Sequence, residues 1–259
     1  MRSARVLARP SAHDDDHFVV ATRYENITVE EKESEEQTFR AFVAVPDPTP
    51  APAVVLLQEV FGVNDNMREL ARRLAESGFL TVVPDMFWRL RPGFESGDES
   101  GLSEGMELAA RLDLDLAVVD MTATLAHVLA RPECSGRVGA VGFCLGGTLS
   151  YLFAASARVG GRGLDSAVSY YGSGVHDHLD LVRSVECPML FHYGDHDPYI
   201  SGAQIAAVEA AVANRPDIAV HRYDAGHAFS NFDAPSFHDP DAADLAWGRT
   251  MAFLDDILT

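Results

Sequence analysis

Cys144 is the residue of this chain best set for chemistry. It sits in Val138-Gly139-Ala140-Val141-Gly142-Phe143-Cys144-Leu145-Gly146-Gly147-Thr148. A short Val- and Ala-rich run of strand type stops at a glycine, the cysteine follows, and two more glycines open an apolar helical pattern. That is a nucleophile elbow, Gly-x-nucleophile-x-Gly, with sulfur in place of a serine oxygen. A nucleophile at the tip of so tight a turn sits in a strained backbone conformation, and small neighbours let the chain pass close by. The competing reading is a glycine-rich strand-to-helix turn with an inert cysteine, so the thiol's partners have to decide.

A thiol attacks as its thiolate and needs a base or a cation nearby. On an elbow of this kind the partners follow in the order nucleophile, acid, histidine, each on a loop after a strand, at the sheet edge where ligands gather. The strand Met189 to Tyr193 runs into Gly194-Asp195-His196-Asp197-Pro198, which offers two acids. Asp197 is the expected partner, because it lies further out on the loop, where Pro198 helps fix the turn. Asp195, in the tight bend, is suited to bonding local backbone. The histidine should follow the last strand, and Tyr223-Asp224-Ala225-Gly226-His227-Ala228-Phe229 supplies His227 after a glycine turn. His192 and His221 lie within strands, His196 neighbours the acid, and neither they nor His238 has that order and loop.

An acyl-transfer oxyanion needs two preorganised donors. The N–H of Leu145 gives one at the start of its helix, and the loop after the first parallel strand gives the other, near Val60. Beside it stands Glu59, either the polar residue of a strand-to-helix loop or a carboxylate that controls the thiol's protonation. Phe87, Trp88, Tyr170 and Phe229 are candidates for an apolar pocket wall, and equally for plain core packing.

The elements that must hold these groups follow from patterning. Met1 to about Phe18 reads as a polar tail, including the His13-Asp14-Asp15-Asp16-His17 cluster, and 19–259 as one α/β domain. Tyr24 to Val29 and Thr38 to Val45 alternate as half-buried strands, with Glu30 to Gln37 as their hairpin turn. Ala53 to Leu57 and Leu80 to Asp85 read as buried strands, with a helix from about Asn66 to Ser77 between them. Met86 to about Gly105 reads as a functional loop or cap, followed by helical patterning from Met106 to Ala130. The elbow helix runs to about Arg158, and strands at Ala167 to Gly172 and Ala219 to Tyr223 flank that at Met189. Helices fill about Gly202 to Asn214 and Ala242 to Leu258. Strands alternating with helices after a first antiparallel hairpin predict a mostly parallel sheet covered on both faces, the α/β-hydrolase fold class.

Composition narrows the function. The 259 residues are 47% apolar, enough for a full core, and no run reaches the roughly 18 apolar residues of a membrane helix. A net charge of −19 makes nucleic acid and anionic membranes poor partners. Lys32 is the only lysine, a bias that fits either a GC-rich genome or salt adaptation. Cys134, Cys144 and Cys187, an odd number at irregular spacing, argue against a disulfide framework and a zinc site. With no signal-peptide pattern at the N-terminus, the expectation is a cytoplasmic protein needing neither metal nor cofactor. Oligomeric state is left open.

From about Asn26 to the C-terminus the chain resembles the dienelactone hydrolase (carboxymethylenebutenolidase) family. The carrying motifs are Gln58-Glu59-Val60-Phe61-Gly62-Val63-Asn64, Pro84-Asp85 with Arg89 and Pro92-Gly93, Gly142 to Gly147, Tyr170-Tyr171-Gly172, Gly194 to Asp197, and Ala225 to Phe229. The resemblance implies a Cys144, His227 and Asp197 triad. Glu59 would pair with the thiol at rest and take its proton when substrate arrives, and Val60 and Leu145 would hold the oxyanion. It also implies attack on a lactone carbonyl, ring opening to an enolate, and hydrolysis of a thioester to a keto acid such as maleylacetate. Family members hold the substrate carboxylate with two arginines. One matches Arg89; the other, four residues after the histidine, is Asn231 here, and the family serine beside the histidine is Ala228. Arg91 could stand in. The small-molecule substrate is therefore either a dienelactone-like lactone or another ester or thioester, and a non-catalytic binding protein on the same scaffold is the third reading.

Overall fold

The computed structural model describes residues 20–29 and 37–259, so the tail and most of the hairpin turn lie outside the described residues. Among the described residues eight strands form one sheet: β1 (Ala21–Val29), β2 (Gln37–Val45), β3 (Ala51–Leu57), β4 (Leu80–Pro84), β5 (Cys134–Phe143), β6 (Ser166–Tyr170), β7 (Met189–Gly194) and β8 (Ile218–Tyr223). Their order is β1-β2-β4-β3-β5-β6-β7-β8. β1, β2 and β4 pair antiparallel, and every pairing from β4 to β8 is parallel. The inner strands are apolar runs buried along their length, as a sheet covered on both faces requires.

Six α-helices among the described residues cover the sheet: α1 (Asp65–Glu76), α2 (Leu102–Arg111), α3 (Leu114–Leu129), α4 (Leu145–Ser156), α5 (Gly202–Val212) and α6 (Pro240–Leu258). The helical patterning from Met106 to Ala130 resolves into two helices, α2 and α3. Its break falls at Asp113, whose Oδ1 accepts from the N–H groups of Asp115 and Leu116, both at 3.0 Å, and so starts α3 afresh. α2 also begins inside the stretch expected to be loop, and 3₁₀ turns fill Val175–Ser184, where no element was expected.

The segment after β4 is tied down by Asp85. Its buried carboxylate accepts from Phe87 N–H at 3.0 Å and Gly93 N–H at 2.7 Å, and burial pushes its pKa up. Phe87 and Phe94 then form a small apolar cluster with Leu108 of α2. At Gly105 the helix lies so close to the β3–α1 loop that a Cβ there would stand 2.1 Å from the Val60 carbonyl oxygen. A helix whose first turn was expected as loop thus forms a wall beside the carboxyl end of β3.

Candidate active site

Between β5 and α4, Cys144 has φ 54° and ψ −114°, a region L-residues avoid unless their surroundings over-determine it. Here they do. Cys144 N–H donates to the Tyr170 carbonyl at 3.0 Å, and Gly147 N–H donates to the Cys144 carbonyl at 2.9 Å. A Cβ on Gly142 would fall 1.8 Å from the Gly146 carbonyl oxygen, and one on Gly146 would fall 2.2 Å from that of Leu57. The glycines let α4 fold back against its own strand and against β3.

The partners come from two further strand ends. Cys144 Sγ lies 3.2 Å from His227 Nε2, and His227 Nδ1 lies 2.7 Å from Asp197 Oδ2. The other oxygen of Asp197 accepts from Tyr199 N–H at 2.8 Å and Ile200 N–H at 3.1 Å. Those bonds aim the carboxylate at the ring. Asp195 instead pairs with Arg222 at the surface. His192 bonds Tyr223, His196 bonds Asp224, and His238 bonds the Phe229 carbonyl, while His221 stacks on His192. Burial disfavours a charged His227 ring, but the Cys144 sulfur and the Asp197 carboxylate on either side outweigh it and push its pKa up to about 10.

Glu59 follows β3 and is buried. Oε1 accepts from the Tyr171 hydroxyl at 3.1 Å and Oε2 from Asn231 Nδ2. Asn231 Oδ1 in turn accepts from Asn66 Nδ2 at 3.1 Å and from Asp233 N–H at 3.0 Å. Burial raises the Glu59 pKa, with His227, Asn231 and Tyr171 pulling it the other way. The expected resting contact between Glu59 and the thiol is not the arrangement found: each group lines the same cavity and takes another partner. Tyr171 and Asn66 were not singled out as site residues in the sequence; the doubled Tyr170-Tyr171 before a glycine was the available signal for the first, and nothing local marks the second.

The cavity has a volume of about 120 Å³ and holds Glu59, Cys144 and His227, with both expected oxyanion donors, Val60 and Leu145, in its wall. Leu145 is the first residue of α4, so its N–H has no carbonyl one turn earlier within the helix. The remaining wall comes from residues not anticipated, chiefly Leu102, Met106 and Ala109 of α2, with Phe61, Tyr199 and Phe237.

Five expected substrate contacts lie outside this wall. Arg89 makes a two-pronged pair with Asp120 of α3, Nε at 2.9 Å and Nη2 at 2.8 Å. Trp88 donates to the same carboxylate at 2.8 Å and stacks on Phe39. Asp120 is buried, so leaving it without these donors would cost several kcal/mol, which fixes Arg89 in place. Tyr170 is fully buried with its hydroxyl 2.6 Å from Thr250 Oγ1, Phe229 is fully buried among aromatic rings, and Asn231 serves Glu59. The strand-end aromatics face the core because the layers covering the sheet are themselves apolar.

Among the described residues no three His, Cys, Asp or Glu side chains are grouped to hold a metal ion, and no helix is long and apolar enough to cross a membrane. The His13 to His17 cluster lies outside them.

An elbow cysteine at the carboxyl edge of an eight-stranded, mostly parallel sheet flanked by helices defines an α/β-hydrolase. Residues 39–258 match the dienelactone hydrolase family. The carboxymethylenebutenolidase of Pseudomonas sp. (strain P51) is 35% identical over 218 residues, 83% of this chain and 89% of its own length. That of Pseudomonas putida is 36% identical over 220 residues, 84% of this chain and 91% of its own. A solved dienelactone hydrolase-like promiscuous phosphotriesterase from metagenomic libraries superposes with a TM-score of 0.75 at 23% identity, covering 92% of this chain and all of its own, a likeness of fold. The chain belongs to the dienelactone hydrolase family and is a hydrolase of small esters or lactones.

Proposed function

We propose that this hydrolase opens a small lactone or ester with Cys144 as nucleophile, His227 as its base and Asp197 as the orienting acid, through a thioester on Cys144. The single observation that carries the reading is the unbroken run of two hydrogen bonds, Sγ to Nε2 at 3.2 Å and Nδ1 to Asp197 at 2.7 Å, at a residue held at φ 54°.

A ring kept protonated up to about pH 10 stabilises a thiolate beside it. The sulfur lone pair forms the S–C bond to the carbonyl carbon, and the carbonyl π pair moves to oxygen, to which the N–H groups of Leu145 and Val60 donate hydrogen bonds. Collapse breaks the C–O bond. The departing alkoxide takes the Nε2 proton of His227, and in a lactone it remains tethered to the acyl group. Water then loses a proton to neutral His227 as its oxygen attacks the thioester, releasing the acid and restoring the thiolate–imidazolium pair. Glu59 acts on this pair electrostatically, since its charged form favours the imidazolium. All three cysteines are free thiols, which suits a reducing compartment, and the cytoplasm is the proposed one.

The test is trapping. A slowly hydrolysed ester should leave its acyl mass on the Cys144 peptide, and Cys144→Ala should abolish both adduct and turnover. Wild-type turnover in that variant would reject the assignment.

A further inference from the structure

The family's dienelactone-type substrate carries a carboxylate, and among the described residues no lysine or arginine stands in the cavity wall. Arg89 is clamped by both oxygens of buried Asp120 and lies over the Trp88 ring at 4.4 Å. Arg91 pairs with Glu104 and lies over Phe94. At the position of the family's second arginine, Asn231 is committed at both ends of its amide, to Glu59 on one side and to Asn66 and Asp233 on the other. What the wall offers is apolar surface. Leu102, Met106 and Ala109 present one face of α2, which Phe237 extends. Met106 and Tyr199, 46% and 48% exposed, stand at the same cavity and make its mouth apolar as well. An anionic group entering here would lose its water and find, among the described residues, no cation but the His227 ring, which Cys144 and Asp197 already hold, beside a protein of net charge −19.

Building on the Cys144 reading, we propose that this site selects uncharged esters with a short apolar acyl chain, laid along Leu102, Met106 and Ala109, and rejects the carboxylate-bearing lactones. The chain's methylenes would be buried against α2 in the acylation transition state, so each should raise kcat/KM until the cavity is filled.

The experiment compares p-nitrophenyl acetate, butyrate and hexanoate with the p-nitrophenyl monoester of glutaric acid, whose chain ends in a carboxylate. From acetate to butyrate, kcat/KM should rise roughly threefold to fourfold per methylene, and the glutarate monoester should fall at least roughly tenfold below hexanoate. Met106→Lys, at a half-exposed position of α2, should narrow that gap by favouring the anionic ester. A glutarate monoester hydrolysed as well as hexanoate, with the acyl mass on Cys144 in both cases, overturns the selectivity and leaves the nucleophile standing. Turnover of these esters without any adduct on Cys144 overturns both.

Discussion

Asn231 donates to Oε2 of Glu59, and its own carbonyl oxygen is held by Asn66 and the N–H of Asp233. The amide is thus a fixed clamp on a buried carboxylate, which it ties to α1 and to the loop after His227. The thiol is left to His227. Where the resemblance implies an arginine at this position, the chain has a neutral amide bonded through both its nitrogen and its oxygen.

Asn231→Leu keeps the volume and removes the clamp. It leaves Asn66 Nδ2, the Asp233 N–H and one oxygen of Glu59 without this partner inside the protein. The expected loss of stability is about 1–3 kcal/mol, read as a lower urea midpoint at unchanged m. The Glu59 pKa, already raised by burial, should rise further because one of the groups lowering it is gone; the carboxyl infrared band reports this. A midpoint equal to wild type would mean that the amide carries no such load.

Glu59→Gln tests the electrostatic role of this carboxylate. Without its charge, His227 loses a stabilising neighbour and the thiolate–imidazolium pair is less populated, by roughly tenfold for each pKa unit lost. Acylation measured before the steady state should slow accordingly, with far-ultraviolet circular dichroism unchanged. An unaltered acylation rate would remove Glu59 from the mechanism.

That Cys144, Asp197 and His227 come together was legible because each is written locally. The glycines on either side of Cys144 report a close approach, Pro198 fixes the turn that carries Asp197, and a glycine precedes His227 after the last strand. The long apolar strands gave the sheet by the same logic. What stayed hidden depends on partners far away in the chain. Nothing near Arg89 announces that Asp120, on another helix, will take its guanidinium, and nothing near Asn66 announces Asn231. The cavity wall was hidden for a related reason. α2 is short, flanked by glycine- and acid-rich sequence, and owes its position to Phe87, Phe94 and the close contact at Gly105. Asp113 was a readable helix start that the continuous apolar pattern on either side obscured.

The contact between Cys144 and His227 can be tested from the ring. The Cys144 sulfur leads the influences that raise the His227 pKa to about 10 against burial. Cys144→Ser replaces it with a neutral hydroxyl, so the His227 ring resonances in ¹⁵N NMR should titrate at clearly lower pH than in wild type. The sign carries over to stability. A folded pKa above the ordinary 6.5 stabilises the protein below that pH, and this contribution is lost as pH rises through about 10. Wild type should therefore lose more stability than Cys144→Ser across that interval. Identical titrations in the two proteins would show that the sulfur is not what raises the His227 pKa.

One chemical change made at two glycines should give opposite results. In Gly146→Ala the new methyl would meet the Leu57 carbonyl oxygen at 2.2 Å, its carbon at 2.6 Å and the Gln58 carbonyl oxygen at 2.7 Å. All three are backbone atoms at the end of β3, and no side chain can turn aside to make room. The expected destabilisation is about 3 kcal/mol. Glu59 and Val60 follow directly on that strand end, so pushing it from the elbow also separates the two proposed oxyanion donors. Acylation should slow even in the fraction that remains folded, more than KM changes. Gly248, in α6, has nothing within 4 Å of the same added carbon. There Ala replaces the residue with the greatest backbone freedom in a helix interior, and Gly248→Ala should stabilise by roughly 0.5–1 kcal/mol with activity unchanged. Urea denaturation of the pair reads both signs. If Gly146→Ala is as stable and as fast as wild type, α4 does not owe its seat against β3 to this glycine.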